Sequence, residues 1–322
     1  MGENKDQKIA VQIKNSRSVI IASHVRPDAD AVGSLLGLGL ALRDAGKDVQ
    51  LVLQDGVGKY TYLPGFDLIT VEPKNQTDML IIVDCSDPDR VGKVLAGYGQ
   101  PDLVVDHHKT NLKFGKINVV EDAQVATAAI LLDHMPEWGL KISPDVAQCL
   151  LAGIVGDTIG FRTPNVNAEV LRKSSELMDL GASLSSVYRE ELVAKSYKAV
   201  RYWGSGLNRL QKDDGLVWTS LTLDDRNEIG YPTNDDADLV NVLSSVRESE
   251  IALIFVEQEN QSVKISWRSR PGFDVSEIAY DFGGGGHAAA AGADVSGSLV
   301  EVMDLVIPET KKLLKRQRSL VE

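Results

Sequence analysis

Cysteine is nearly missing from this 322-residue chain, with Cys85 and Cys149 the only two. Two thiols in apolar surroundings build no disulfide framework and no zinc-type thiolate spacing, and they suit a reducing compartment. Long hydrophobic runs are missing as well. The longest apolar stretch, Ala31–Leu42, is too short for a bilayer and is interrupted by glycines. The N-terminal MGENKDQKIA carries no apolar secretory segment. These absences predict a cytoplasmic chain with no membrane partner. Basic charge is in deficit, since 34 Lys and Arg face 46 Asp and Glu for a net charge of −12. That balance argues against binding long duplex nucleic acid, which calls for a broad basic face. It leaves room for local anion binding through metal ions or a few placed arginines.

At ~100–200 residues per domain, the length predicts two domains. The first half alternates short, branched apolar runs with helical patterns. Ser18–Ser23, Val49–Leu53, Met79–Val83 and Leu103–Val105 read as strands buried on both faces. Ala31–Ala45, Val125–Trp138, Pro144–Val155 and Ala168–Leu180 read as helices. Strands alternating with helices predict a parallel sheet with helices on both faces and right-handed crossovers, and ligands in such sheets sit beyond the carboxyl ends of the strands. Ser183–Arg209 reads as one long polar connecting helix. Beyond it, Leu216–Leu223, Ile251–Glu257 and Ser262–Ser269 read as strands, and Asp235–Val246 and Ser298–Arg318 as helices, giving a smaller C-terminal α/β domain. Gly283–Gly286 is expected to have no regular structure. The basic KKLLKRQR end reads as a solvated helix face. The expected division is residues 1–190, a helical linker over 191–206, and residues 207–322.

The chemistry is concentrated in the histidines. Of five, His24, His107, His108 and His287 fall in polar or glycine-rich loops, and three of these directly follow a predicted strand with aspartate close by. In SHVRPDADAVGS (23–34), His24, Asp28 and Asp30 lie between the first strand and the first helix. Asp28 and Asp30 are two apart and face different ways, so they can reach two different ions; read alone, Asp30 also suits a helix cap. Asp84 ends a buried strand, where a nearby cation would offset its lost solvation, although a turn-forming role also fits it. Asp87 and Asp89 fit that turn role better. Asp106-His107-His108 follows the next strand, and a metal-bound histidine needs a carboxylate or carbonyl to orient its other nitrogen, which Asp106 is placed to supply. Asp157 ends an apolar helical run. The resulting set is rich in carboxylate and imidazole and free of thiolate, which suits Mn²⁺, or Mg²⁺ with fewer histidines. Two such ions ~3.5–4 Å apart are the usual clamp for displacement at phosphorus.

Taken together, H-x-x-P-D-A-D-A-x-G-S, the strand-terminal aspartate, V-D-H-H-x-T-N and G-D-T resemble the DHH phosphoesterase superfamily. R-S-R followed by GGGGHAAAAG resembles the DHHA1 domain that accompanies it. The resemblance spans nearly the whole chain, and the compact length is most similar to the NrnA-like branch. It implies an N-terminal catalytic domain and a C-terminal substrate-binding domain. It also implies hydrolysis of short oligoribonucleotides or 3′-phosphoadenosine 5′-phosphate (pAp) by a water activated between two Mn²⁺ ions, with Mg²⁺ or Co²⁺ as alternatives. Position by position, it implies that His24 and Asp28 hold one ion, that Asp30, His107 and Asp157 hold the other, and that Asp84 bridges them. Asp106 is implied to orient His107, and His108 to approach the scissile phosphate or its leaving oxygen. Arg268, Arg270 and His287 are implied to grip the substrate's other phosphate, with Gly284, Gly285 and Gly286 letting backbone amides approach it. An anchored terminal phosphate implies cleavage from an end. Homodimerisation is implied by resemblance alone. The family's fourth motif commonly reads D-T-G, whereas Asp157-Thr158-Ile159-Gly160 stands here. Other readings are a cyclic or linear dinucleotide phosphodiesterase, a RecJ-like single-strand exonuclease, and a nucleotide sensor without catalysis. A family II pyrophosphatase lacks support, because no S-R-K-K-Q loop is present.

Overall fold

The computed structural model describes residues 5–93 and 95–321. The first four residues of the MGENKDQKIA stretch, Val94 and Glu322 lie outside them. The chain divides between Ala194 and Lys195 into two compact units.

The first unit runs α1 (Lys5–Asn15), β1 (Ser18–Ala22), α2 (Ala29–Asp44), β2 (Asp48–Val52), β3 (Ile69–Thr70), β4 (Met79–Val83), β5 (Leu103–Asp106), β6 (Ile117–Val120), α3 (Thr127–His134), α4 (Pro144–Asp157), α5 (Ala168–Asp179) and α6 (Leu184–Tyr188). Its six strands are all parallel, in the order β3-β2-β1-β4-β5-β6. The order reverses between β1 and β4, so the crevice at their carboxyl ends is the topological switch point where such sheets bind ligands. Alternate residues of β1 bury to opposite sides. Val19 and Ile21 join the large core made with α1, α2, α3 and α4, while Ile20 and Ala22 join a smaller cluster with Cys85, Val91 and Val104. A 3₁₀ turn, Pro88–Val91, covers part of that second face.

Helices α2 and α4 meet through glycine. A Cβ on Gly33 would collide with the Cys149 carbonyl, one on Gly37 would lie 2.8 Å from the Leu150 side chain, and one on Gly156 would collide with Ala29. The absent side chains let the two backbones touch. The last residue of α4, Asp157, is thereby drawn to the first turn of α2.

The second unit runs α7 (Tyr197–Asn208), β7 (Gln211–Asp213), β8 (Leu216–Leu221), α8 (Leu223–Ile229), α9 (Leu239–Leu243), β9 (Ile251–Glu257), β10 (Ser262–Ser269), α10 (Ser276–Asp281), β11 (Gly285–His287), β12 (Ala290–Ser296) and α11 (Leu299–Val321). Its sheet has the order β11-β12-β10-β9-β8-β7; β8 and β9 are parallel and the other pairs antiparallel. One face packs on α10 and α11 around Trp267, and the other on α7 and α9 around Tyr202.

Three expectations need correction. The connector Ser183–Arg209 is not one helix: α6 passes into a π turn at Arg189–Val193, the backbone is extended at Ala194, and α7 then starts on a Ser196 cap. Much of the expected linker therefore belongs to the second unit, where Ala199 and Tyr202 are core residues. The expected helix Asp235–Val246 shrinks to α9, because Ala237 and Asp238 adopt left-handed backbone that an α-helix cannot contain. The glycine run enters a strand, β11, paired with β12. Gly284 is required by packing, since a Cβ there would collide with the Gly292 carbonyl.

Candidate metal centre

The first loop begins where Ser23 Oγ donates to the Val83 carbonyl (2.7 Å), tying the ends of β1 and β4 together. His24 is buried and donates from Nδ1 to the Val25 carbonyl (2.9 Å), so Nε2 keeps its lone pair for a cation. Asp28, not Asp30, caps α2: its Oδ1 accepts from the Asp30 and Ala31 amides at 3.1 and 3.0 Å. The other oxygen, Oδ2, is left 3.8 Å from His24 Nε2. Asp30 is fully buried and spans to the start of α3. There Oδ2 accepts from the Thr127 amide (2.6 Å), and Oδ1 from the Ala128 amide (2.9 Å) and Ser34 Oγ (3.2 Å).

Asp84 stands at the middle, one residue past β4, with φ at +51°. Its two oxygens face different neighbours. Oδ2 lies 3.5 Å from His24 Nε2, while Oδ1 lies 3.6 Å from His107 Nε2 and 3.7 Å from His108 Nδ1. Across the cleft, His107 Nε2 is 3.1 Å from Asp157 Oδ2 and 4.0 Å from Asp30 Oδ2. Three groups with ligand atoms within 4.8 Å of one another result: His24, Asp28 and Asp84; Asp30, His107 and Asp157; and Asp84, His107 and His108.

Asp106 does not hold His107. Its Oδ1 accepts from His108 Nδ1 (2.7 Å) and its Oδ2 from Asn111 Nδ2 (2.6 Å). The last residue of a strand and the residue two further on point to the same side, which favours His108 over the intervening His107. Asp87 caps the 3₁₀ turn by accepting from the Asp89 amide, the turn role expected of it. Thr127 and Asn111 touch this cluster with no assigned part in the sequence reading.

The buried carboxylates and imidazoles shift one another's protonation. Burial, then the nearby Asp84 and Asp157, pushes Asp30 well above the usual carboxylate range. Asp157 is raised by burial and by Asp84, against the relief that His107 gives. Burial would also raise Asp84, but His24, His107 and His108 outweigh it and hold the carboxyl low. His107 is pushed up to about 10: burial works against its charge, and the hydrogen bond to Asp157 with the Asp30 and Asp84 carboxylates overcomes that. Four carboxylates around three imidazoles, with no thiolate among them, are a donor set that fits hard divalent cations.

In the second unit, Arg268, Ala290 and His287 stand in one register row across β10, β12 and β11. Ser269 Oγ donates to the Ala288 carbonyl (2.8 Å), pinning that turn to the end of β10. Arg268 is held by Asn241 Oδ1 (3.1 Å from Nε) and by the Trp267 carbonyl (3.0 Å from Nη1). Arg270 reaches the Arg247 carbonyl at 3.3 Å. A Cβ on Gly286, at φ +145°, would lie 2.5 Å from the Ala290 carbonyl, whereas one on Gly285 would meet only the Tyr280 ring at 3.6 Å. Among the described residues, no helix is long and apolar enough to cross a membrane.

Residues 18–154 match the DHH family N-terminal domain and residues 226–316 the DHHA1 domain. The chain is 33% identical over 304 residues to the bifunctional oligoribonuclease and PAP phosphatase NrnA of Thermus thermophilus, covering 92% of this chain and 90% of that protein. It is 25% identical to the NrnA of Bacillus subtilis over 86% of this chain and 89% of that protein. Among solved structures, an exopolyphosphatase-related protein from Bacteroides fragilis superposes with a TM-score of 0.89 at 25% identity, covering 99% of this chain and 98% of that one. With a six-stranded parallel sheet that gathers His24, Asp28, Asp30, Asp84, His107 and Asp157 at its switch point, and a DHHA1 domain following it, the chain belongs to the DHH family.

Proposed function

We propose that the chain is a metal-dependent phosphoesterase that hydrolyses short oligoribonucleotides and pAp. One observation carries the reading: the two oxygens of Asp84 face two separate sets of ligand atoms, as a bridging carboxylate must. His24 and Asp28 would complete one cation site, and Asp30, His107 and Asp157 the other. Divalent cations bound by these residues would supply Lewis acidity, lowering the pKa of a coordinated water from ~15.7 toward ~7 and drawing charge from the phosphoryl group. Mn²⁺ suits this donor set, with Mg²⁺ and Co²⁺ as competitors.

The chain's own groups supply the rest. His108, its Nδ1 proton directed at Asp106, presents Nε2 to the scissile phosphate or its leaving oxygen and moves a proton there. In the second unit, Arg268, Arg270 and His287 bind the substrate's other phosphate, and the Gly284–Gly286 backbone supports that contact. The NrnA proteins are named for both an oligoribonuclease and a PAP phosphatase activity, and a net charge of −12 favours such small substrates over long polymers. The test is hydrolysis of pAp and a diribonucleotide with Mn²⁺ by the full chain and by Asp84→Asn. Cation stabilisation is worth several kcal/mol, so the variant is expected to lose roughly 10²-fold or more in rate. Equal rates in parent and variant would end the proposal, and efficient degradation of kilobase single-stranded DNA would contradict the substrate class.

A further inference from the structure

Thr127 is the first residue of α3, fully buried, and it contacts two proposed ligands that lie far apart in the chain. Its Oγ1 donates to Asp84 Oδ1 at 3.0 Å and its amide donates to Asp30 Oδ2 at 2.6 Å, while the next amide, Ala128, holds the other oxygen of Asp30 at 2.9 Å. We infer that Thr127 is the positioning residue of the metal centre: it fixes the carboxylate planes of Asp84 and Asp30 so that each offers a defined lone pair to a cation. The inference rests on the two-cation reading above.

The chemistry follows from counting lone pairs. Each carboxylate oxygen carries two. With Thr127 occupying one on Asp84 Oδ1, the carboxylate can no longer rotate freely about its Cβ–Cγ bond, and the other lone pairs are held toward His24 on one side and His107 on the other. A threonine in the first turn of a helix is not required to do this. As the first helical residue, Thr127 has no carbonyl of a preceding turn for its hydroxyl to meet, and the hydroxyl turns instead to the Asp84 carboxylate. Asp30 is held by backbone amides, so a side-chain change at residue 127 acts chiefly through Asp84. Hydrogen-bond partners of this kind typically account for ~10–100-fold in metal affinity.

The test is Mn²⁺ binding to the full chain, followed by calorimetry and by the loss of the free-ion paramagnetic resonance signal, for the parent, Thr127→Val, Thr127→Ser and Asp84→Asn. Valine keeps the shape and removes the donor, and is expected to weaken binding ~10–100-fold. Serine keeps the donor and is expected to remain close to the parent. Weaker binding by Asp84→Asn together with parental binding by Thr127→Val would overturn the role of Thr127 and leave the metal centre standing. Parental binding by Asp84→Asn would remove the two-cation reading and this inference with it. Equal losses for valine and serine would show that packing, not the hydroxyl, is responsible, and would also overturn it. Should valine prevent folding, Thr127→Ala is read in the same way, with the metal-free melting temperature separating loss of fold from loss of binding.

Discussion

Gly153 tests whether the metal centre is assembled by the close approach of α2 and α4. An alanine there would put its Cβ 2.6 Å from Asp30 Oδ1 and 2.7 Å from the Ala128 Cβ. Carbon atoms prefer ~3.5–4.0 Å, so α4 must retreat by the better part of an ångström or Asp30 must turn aside. Neither neighbour is a flexible chain end: Asp30 is held by two amides and a hydroxyl, and Ala128 lies in a helix. Overpacking of this kind costs ~1–3 kcal/mol, while a mid-helix Gly→Ala change returns ~0.5–1 kcal/mol. The balance runs from near zero to a loss of ~2.5 kcal/mol, or a fall of up to about 10 °C in melting temperature for a unit of this size. Because the collision falls on Asp30, Mn²⁺ affinity falls with it. Thermal unfolding by circular dichroism and Mn²⁺ calorimetry on the same preparation read both effects. A Gly153→Ala variant that melts at or above the parent and binds Mn²⁺ equally well would refute the claim that this contact sets the geometry.

Gly204 is the counter-case: it lies inside α7 with no atom within 4 Å of where its Cβ would stand, so Gly204→Ala should stabilise the chain by ~0.5–1 kcal/mol, read as a higher denaturant midpoint. Mn²⁺ at about 100 times its dissociation constant should stabilise the parent by ~2.7 kcal/mol, and Asp84→Asn should largely abolish that rise in melting temperature; a chelator should reverse it. Burial alone would raise Asp225, but the two-pronged contact from Arg209 (2.5 and 2.8 Å) and the Thr222 cap hold it at about 2. Its contribution is therefore present above the ordinary carboxylate pKa of ~3.9 and is lost as pH falls through about 2. Asp225→Asn should destabilise clearly at pH 7 and hardly at all near pH 2, and a gap in melting temperature that stays constant across that range would contradict the pairing.

The strands β1, β4 and β5 were legible because both faces are buried, which leaves unbroken apolar runs, and the residues just past them were legible because polar groups stand out against such runs. Edge strands were not. Ile69–Thr70 and Gln211–Asp213 are two and three residues long, too short for any period to show. The glycine run that leads into β11 reads as irregular until its pairing with β12 is known. The long polar pattern around Ser183–Arg209 hid a break, since the extended turn at Ala194 leaves no proline or glycine to mark it. At the centre, the resemblance implied that Asp106 orients the adjacent His107, while the alternation of the strand end delivers it to His108. Thr127 left no signal, because its importance lies in which carboxylate its hydroxyl meets, and that depends on how α3 lands against β4.

The left-handed backbone at Asp84 has a practical consequence for anyone altering this centre. Among residues with a side chain, aspartate and asparagine are the ones that enter that region readily. Alanine at the same place would add torsional strain to the loss of charge, and its effects would mix the two. Asparagine keeps the local turn and nearly the same outline while removing the negative charge. At this one position, electrostatics can be switched off almost independently of shape, which makes residue 84 the cleanest handle on how much of the behaviour of this protein depends on cations.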